Sequence, residues 1–197
     1  MLAHLDTEAY LASLVTPVFS YSIVRQGLYS ESFPVYTANF DLINAKMSAE
    51  QDFSIRIPHN GAGPGLAWAK REELGEATAN LLVQYAKDPS SFPHANKVMI
   101  LSGPRAFSLS ETAEVISRVL KKSVRIVQVT VDQYCEEAGV GYGSDSNEMN
   151  KLWATAFEGI KHGETSTVTP HLRELLGRDP EDFEATIRKL GATFLGG

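Results

Sequence analysis

Two glycine-rich stretches are the first places to look for chemistry, because glycine lets backbone N–H groups approach a phosphate. The first is His59-Asn-Gly-Ala-Gly-Pro-Gly65, with Asn60-Gly61 as its strongest turn signal. Pro64 removes one of the N–H groups that a phosphate cradle uses, and no strong strand precedes the stretch. A turn or hinge is therefore expected. The second, Gly139-Val-Gly-Tyr-Gly143, follows a helical pattern rather than a strand, so it reads as a helix stop and a flexible loop. His59 is a candidate proton donor near neutral pH, although its turn-rich loop favours a solvated histidine. Tyr29 is the other catalytic candidate, since its hydroxyl both donates and accepts. The competing reading is a tyrosine packed at a sheet edge. Arg25 ends a buried strand, and a structural ion pair is expected of it.

Other chemistries find no support. The five histidines, His4, His59, His94, His162 and His171, show no metal-ligand spacing. No Gly-x-Ser-x-Gly elbow is present. No tyrosine has a lysine four residues later, so the Tyr-x-x-x-Lys reductase pair is absent. Cys135 precedes Glu136 and Glu137, which would raise a thiol pKa and quiet the nucleophile.

The elements that would position these residues alternate between helix and strand. The chain opens as a helix whose apolar face is Leu5, Tyr10, Leu11 and Leu14, started by Asp6 or Thr7 and ended by Pro17. A strand is expected over Phe19 to Arg25, then a short helix around Tyr36 to Asn44. Ser54 to Pro58 reads as an edge strand, because Pro58 cannot donate to a ladder. A helix over Arg71 to Lys87 carries the stripe Leu74, Ala77, Leu81, Leu82 and Tyr85, with Glu72 and Glu73 at the positive end of its dipole. Lys97 to Ser102 is a strand. Ser108 and Glu111 have capping-box spacing before a helix with Leu109, Ala113, Ile116 and Leu120 on one face, and Lys121 and Lys122 suit its C-terminal end. Val124 to Val131 is a strand, Asp132 to Ala138 a short helix, and Val140 to Asn147 a polar loop. Glu148 to Lys161 is helical, with Leu152, Trp153, Ala156 and Ile160 apolar. Trp68 and Trp153 are expected as core anchors. Thr169-Pro170 and Asp179-Pro180 open the last two helices, which Gly177 and Gly191 close. The fold class is α/β.

At 197 residues, 43% of them hydrophobic, the chain can bury a sizeable core. Its net charge of −6 gives no general attraction to nucleic acid or anionic membrane, so neither is expected as a partner. A single cysteine forms no internal disulfide, and a reducing compartment follows. The first residues lack a basic flank and contain Asp6 and Glu8, unlike a signal peptide. No apolar run approaches the ~20 residues that span a bilayer. The expected location is the cytoplasm, or the nucleus and cytoplasm.

Three segments carry a resemblance. They are Arg25-Gln-Gly-Leu-Tyr29 after a strand, Leu101-Ser-Gly-Pro-Arg-Ala-Phe-Ser-Leu-Ser-Glu111, and Leu175-Leu-Gly-Arg-Asp-Pro180. Together they resemble NmrA-like proteins, atypical relatives of the short-chain dehydrogenases, from about His4 to Ile187. Gly27-Leu-Tyr-Ser-Glu-Ser-Phe33, with Ile57-Pro-His-Asn-Gly61 and Glu73-Leu-Gly-Glu-Ala-Thr-Ala79, resembles a fungal branch. Ser32 stands where many relatives carry Asn. The resemblance implies part of a Rossmann-like sheet with a smaller, mostly helical substrate-side lobe. Sheet-side elements would fall at about 1–25 and 67–102, and the lobe at about 26–66 and 103–197. It implies NADP(H) or NAD(H) as cofactor, with Gly27, Leu28 and Tyr29 at the cofactor end. The implied activity is that of an oxidoreductase or a redox-sensing regulator. The family's Gly-rich pyrophosphate turn should follow a first strand, and nothing before Tyr21 matches it. The chain is therefore expected to be N-terminally truncated within a single NmrA-like domain and not competent for hydride transfer alone. An open sheet edge would then favour self-association or a protein partner. The alternative is a non-enzymatic protein-binding module or transcriptional-regulator lobe.

Overall fold

The structure, a computed structural model, describes residues 2–137 and 147–193. Its strands form two parallel pairs rather than one continuous sheet. β1 (Ser22–Gln26) pairs with β3 (Lys97–Leu101), placing Ile23 beside Val98 and Val24 beside Met99. β2 (Asp52–Ile57) pairs with β4 (Ser123–Gln128), placing Ile55 beside Ile126. Parallel neighbours need a crossover between them. α4 (Arg71–Lys87) lies between β1 and β3 in sequence, and α5 (Leu109–Leu120) lies between β2 and β4. The remaining helices are α1 (Leu2–Ser13), α2 (Phe33–Tyr36), α3 (Leu42–Met47), α6 (Val131–Glu137), α7 (Asn147–Lys161), α8 (His171–Leu176) and α9 (Phe183–Thr193). The class is α/β, as the sequence implies.

Each pair has its own apolar core. Met99 and Leu101 of β3 pack with Leu74, Ala77 and Leu81 of α4 and with Leu172 and Leu175 of α8. The larger core joins Ile55 and Ile57 of β2 to Leu109, Ala113, Ile116 and Leu120 of α5, and to Phe183 and Ile187 of α9. Trp68 anchors it: its ring stacks on Phe183 at 5.2 Å, and its indole N–H donates to Thr112 Oγ1 at 3.2 Å.

α5 shows how directly sequence dictates an end. Glu111 N donates to Ser108 Oγ at 3.0 Å, and Ser108 N donates to Glu111 Oε2 at 2.8 Å, so two amides left over by the helix are satisfied. Lys121 turns the chain into the left-handed region. Lys122 then reaches away from α5, and its ammonium donates to Ala45 O and Ser48 O at 2.7 and 2.6 Å, closing the end of α3.

Several elements differ from the sequence reading. β1 starts at Ser22 rather than Phe19. The helix expected around residues 36–44 is two short helices, because Ala38 and Asn39 adopt positive φ between them. α1 starts at Leu2, so Asp6 and Thr7 lie inside it, and Leu5, Tyr10 and Leu14 are exposed. In α4, Leu82 and Tyr85 are exposed; only Leu74, Ala77 and Leu81 of the expected stripe are buried. α7 is rotated from the expected face: Ala154, Phe157 and Ile160 are buried while Trp153 is 41% exposed, so Trp153 is no core anchor. Gly177 caps α8 at φ 67°, as expected. Gly191, by contrast, lies inside α9, where its carbonyl accepts from Lys46 Nζ at 2.8 Å. α9 itself starts at Phe183, where Asp182 Oδ1 accepts from Glu184 N at 2.8 Å. The loop expected at 140–147, the helix stop at Gly139 and the Gly139–Gly143 stretch lie outside the described residues, except for Asn147, which begins α7.

Candidate functional site

In open parallel α/β sheets, ligands settle outside the carboxyl ends of the strands. Both pairs end in segments that the sequence singles out. Beyond β1, Gly27 N donates to Leu101 O at 2.7 Å, Ala69 N donates to Leu28 O at 2.9 Å, and Ser30 N donates to Ala69 O at 2.9 Å. Three backbones thus cross here: 27–30, 66–69 and 101–103. The crossing excludes side chains. A Cβ at Gly27 would lie 2.8 Å from Leu101 O, and one at Gly103 would lie 1.7 Å from Trp68 O. Leu28 then packs toward the larger core and Tyr29 toward the smaller one. Tyr29 Oη donates to Gln26 Oε1 at 2.8 Å, so the hydroxyl is held over the end of β1.

Beyond β2 and β4 lies a groove of 330 Å³, lined by Pro58, His59, Asn60, Ala62, Gly63, Gln128, Glu158 and Lys161. The glycine-rich stretch forms one wall. Its preceding strand is real: β2 runs directly into it with Ile55 and Ile57 buried, which corrects the reading that no strong strand stands there. The stretch nevertheless turns on itself. Gly61 N donates to His59 Nδ1 at 3.0 Å, and Ala62 N donates to Asn60 Oδ1 at 2.9 Å. Two of the amides a phosphate would use, those of Gly61 and Ala62, are thus committed, and Pro64 has no N–H to offer. Gly65 is required where it stands, since its φ is +78° and a Cβ would meet Phe107 O at 1.9 Å.

His59 is not the solvated histidine that its loop suggests. It is 5% exposed, and burial pushes its pKa below the ordinary value, with Glu158 raising it and Lys161 lowering it in smaller measure. Because Nδ1 accepts the Gly61 amide, the proton of the neutral ring belongs on Nε2. A neutral imidazole held this way is a hydrogen-bond donor rather than a general acid. Tyr29 is absent from the groove lining, so the two catalytic candidates occupy different strand ends.

Arg25 forms the expected ion pair, a two-pronged contact with Glu8 at 2.8 and 2.5 Å that ties β1 to α1. Burial pushes the Cys135 thiol up, opposed by Lys151 and assisted by Asp132. The neighbouring glutamates are not the cause, and Glu137 is engaged with Arg56 at 2.6 Å. Among the described residues, no three side chains are arranged to hold a metal ion, and no helix is long and apolar enough to cross a membrane.

No family model matches the chain. It is 23% identical over 189 residues to an NmrA-like family domain-containing oxidoreductase of Aspergillus flavus, covering 95% of this chain and 54% of that protein. The chain is similar to NmrA-like proteins. Solved structures share its fold. The NADPH complex of an NADPH-dependent quinone oxidoreductase from Escherichia coli aligns with TM-score 0.67 at 21% identity, over 95% of this chain and 58% of that one. NmrA, a negative transcriptional regulator in complex with NADP, aligns with TM-score 0.63 at 18% identity, over 96% and 57%. The chain thus spans about half the length of the curated relatives it matches.

Proposed function

We propose that this chain is part of an NmrA-like NAD(P)-binding oxidoreductase or of an NAD(P)-sensing regulator, and holds sheet-side elements together with a substrate-side lobe. The observation that carries this reading is the crossing beyond β1, where Gly27 presses on Leu101 at the carboxyl end of a parallel pair. A dinucleotide of the kind its structural neighbours bind, NADP(H) or NAD(H), would meet Gly27, Leu28 and Tyr29 at its nicotinamide end. The hydroxyl of Tyr29, steered by Gln26, would be the nearest donor there.

The described residues do not fit the pyrophosphate. The glycine-rich turn that follows a parallel strand, His59–Gly65, gives the Gly61 and Ala62 amides to its own side chains. These 197 residues alone should therefore not transfer hydride efficiently, since positioning the cofactor supplies much of the rate. NADPH oxidation assays on the purified chain are expected to show no turnover above buffer. Turnover matching that of a full-length relative would defeat the proposal.

A second reading, a protein-binding module acting without catalysis, is favoured by the β1 side. β1 pairs with β3 alone among the described residues, and a groove of 450 Å³ lies between it and α1, lined by Leu5, Leu11, Ile23 and Val24. Tyr10, Leu14 and Phe19 are exposed nearby in the chain, and Val18 is 97% exposed. Such edges recruit other chains. Sedimentation should show self-association, and a monodisperse monomer would count against this reading.

A further inference from the structure

We propose that the groove at the carboxyl ends of β2 and β4 binds a small uncharged carbonyl compound, whose oxygen accepts a hydrogen bond from Nε2–H of His59. Four observations converge. First, the Gly61 amide occupies Nδ1 at 3.0 Å, so the ring presents its proton at Nε2. Second, no described residue is a hydrogen-bond partner of Nε2, and the atom keeps access to solvent although His59 as a whole is buried and lines the groove. A donor with no protein partner in a nearly buried side chain is free for a ligand's acceptor to take the place of water.

Third, the charges on the lining cancel. Glu158 and Lys161 stand 3.7 Å apart, one of each sign, and His59 adds none. An anion would find no net attraction. It would be best served by a protonated ring, yet protonation would set Nδ1–H against the Gly61 amide. Fourth, Pro58 and Ala62 give the groove an apolar wall, and its 330 Å³ sits at the small end of ligand cavities. A single-ring ketone fits that volume and needs only one strong donor. His59 would orient and polarise such a carbonyl without losing its own proton.

The test uses the 197-residue chain with 15N-labelled histidine, with acetophenone as probe and no nucleotide present. Long-range proton–nitrogen spectra at neutral pH should show His59 as the Nε2–H tautomer, and its Nε2 resonance should move saturably with acetophenone. Benzoate and ethylbenzene, matched in shape but anionic or lacking the carbonyl, should leave it in place. Ala62→Trp, at an exposed position on the groove wall, should abolish the shift while circular dichroism and the tautomer signature stay unchanged. The proposal is overturned by an Nδ1–H tautomer, by an Nε2 resonance that ignores acetophenone, by an equal response to benzoate, or by a shift that survives in Ala62→Trp. Since no nucleotide enters the experiment, its failure leaves the dinucleotide reading standing, and the reverse also holds.

Discussion

Replacing Gly103 with Ala puts a methyl carbon 1.7 Å from Trp68 O and 2.7 Å from its carbonyl carbon. Ordinary contacts need roughly 3.5 Å, so the shortfall is well over 1 Å. Both opposing atoms are backbone, and no rotamer can relieve them. Relief requires the 66–69 segment to move off 101–103, which breaks the Gly103 N to Ala67 O hydrogen bond and unseats the buried Trp68. Overpacking a core typically costs about 1–3 kcal/mol, and this site should reach ~3 kcal/mol or more. Gly27→Ala is milder: its nearest opposing atom is Leu101 O at 2.8 Å, and a cost of ~1–2 kcal/mol follows. Gly75→Ala should have the opposite sign. Gly75 lies inside α4 with nothing within 4 Å of an added Cβ, so alanine's better helix propensity adds ~0.5–1 kcal/mol. Urea unfolding followed by circular dichroism measures all three, and each kcal/mol corresponds to about 2–4 °C in Tm at this size. A Gly103→Ala protein as stable as wild type would refute the crossing geometry, and a destabilised Gly75→Ala protein would refute the open helical site assigned to Gly75.

Other outcomes follow from polar groups. Glu73 is buried and binds Arg178 Nη1 at 2.6 Å and the Glu181 amide at 2.8 Å, so Glu73→Ala should cost ~1–3 kcal/mol in urea unfolding. The lower part of that range applies if Arg178, whose side chain is 46% exposed, simply returns to water. His59 supplies a pH dependence. Its folded pKa lies below the ordinary 6.5, so its contribution is complete above that value and is lost as pH falls toward the folded pKa. Wild type should therefore lose more stability than His59→Gln between pH 7 and about pH 5. His94 is shifted the same way and is common to both proteins. Equal losses would mean that His59 is not held neutral by burial.

Local signals in the sequence were the most legible. The capping box at Ser108 and Glu111, the cap at Gly177 and the strands expected at 19–25 and 97–102 rest on short-range rules or on one strong apolar pattern, whereas the parallel pairing of 22–26 with 97–101 is a long-range fact of the structure. Faces of helices were harder to read. α7 carries apolar residues on more than one side, and which side is buried depends on α6, where Tyr134 meets Phe157 edge-on at 5.5 Å. α1 has an apolar pattern whose expected contacts, Leu5, Tyr10 and Leu14, remain exposed. The groove was legible in one wall only. His59 and its glycines announce a turn, but Gln128, Glu158 and Lys161 arrive from a strand end and a helix far along the chain. Burial of His59 is likewise a tertiary fact, set by the packing of β2 and α7 around a loop whose composition suggests solvent. Glu73 showed only as a charge near a helix start, and its partner Arg178, in the Leu175–Pro180 segment, lies 105 residues on.

Calorimetric titration of the purified chain with NADPH tests the central claim most directly. The account predicts no micromolar binding from a chain whose circular dichroism shows it folded, because the turn after β2 keeps its Gly61 and Ala62 amides for itself and Pro64 has none to offer. Micromolar affinity would show that these residues cradle the dinucleotide after all, and the division of labour argued from Gly27 and His59–Gly65 would be wrong.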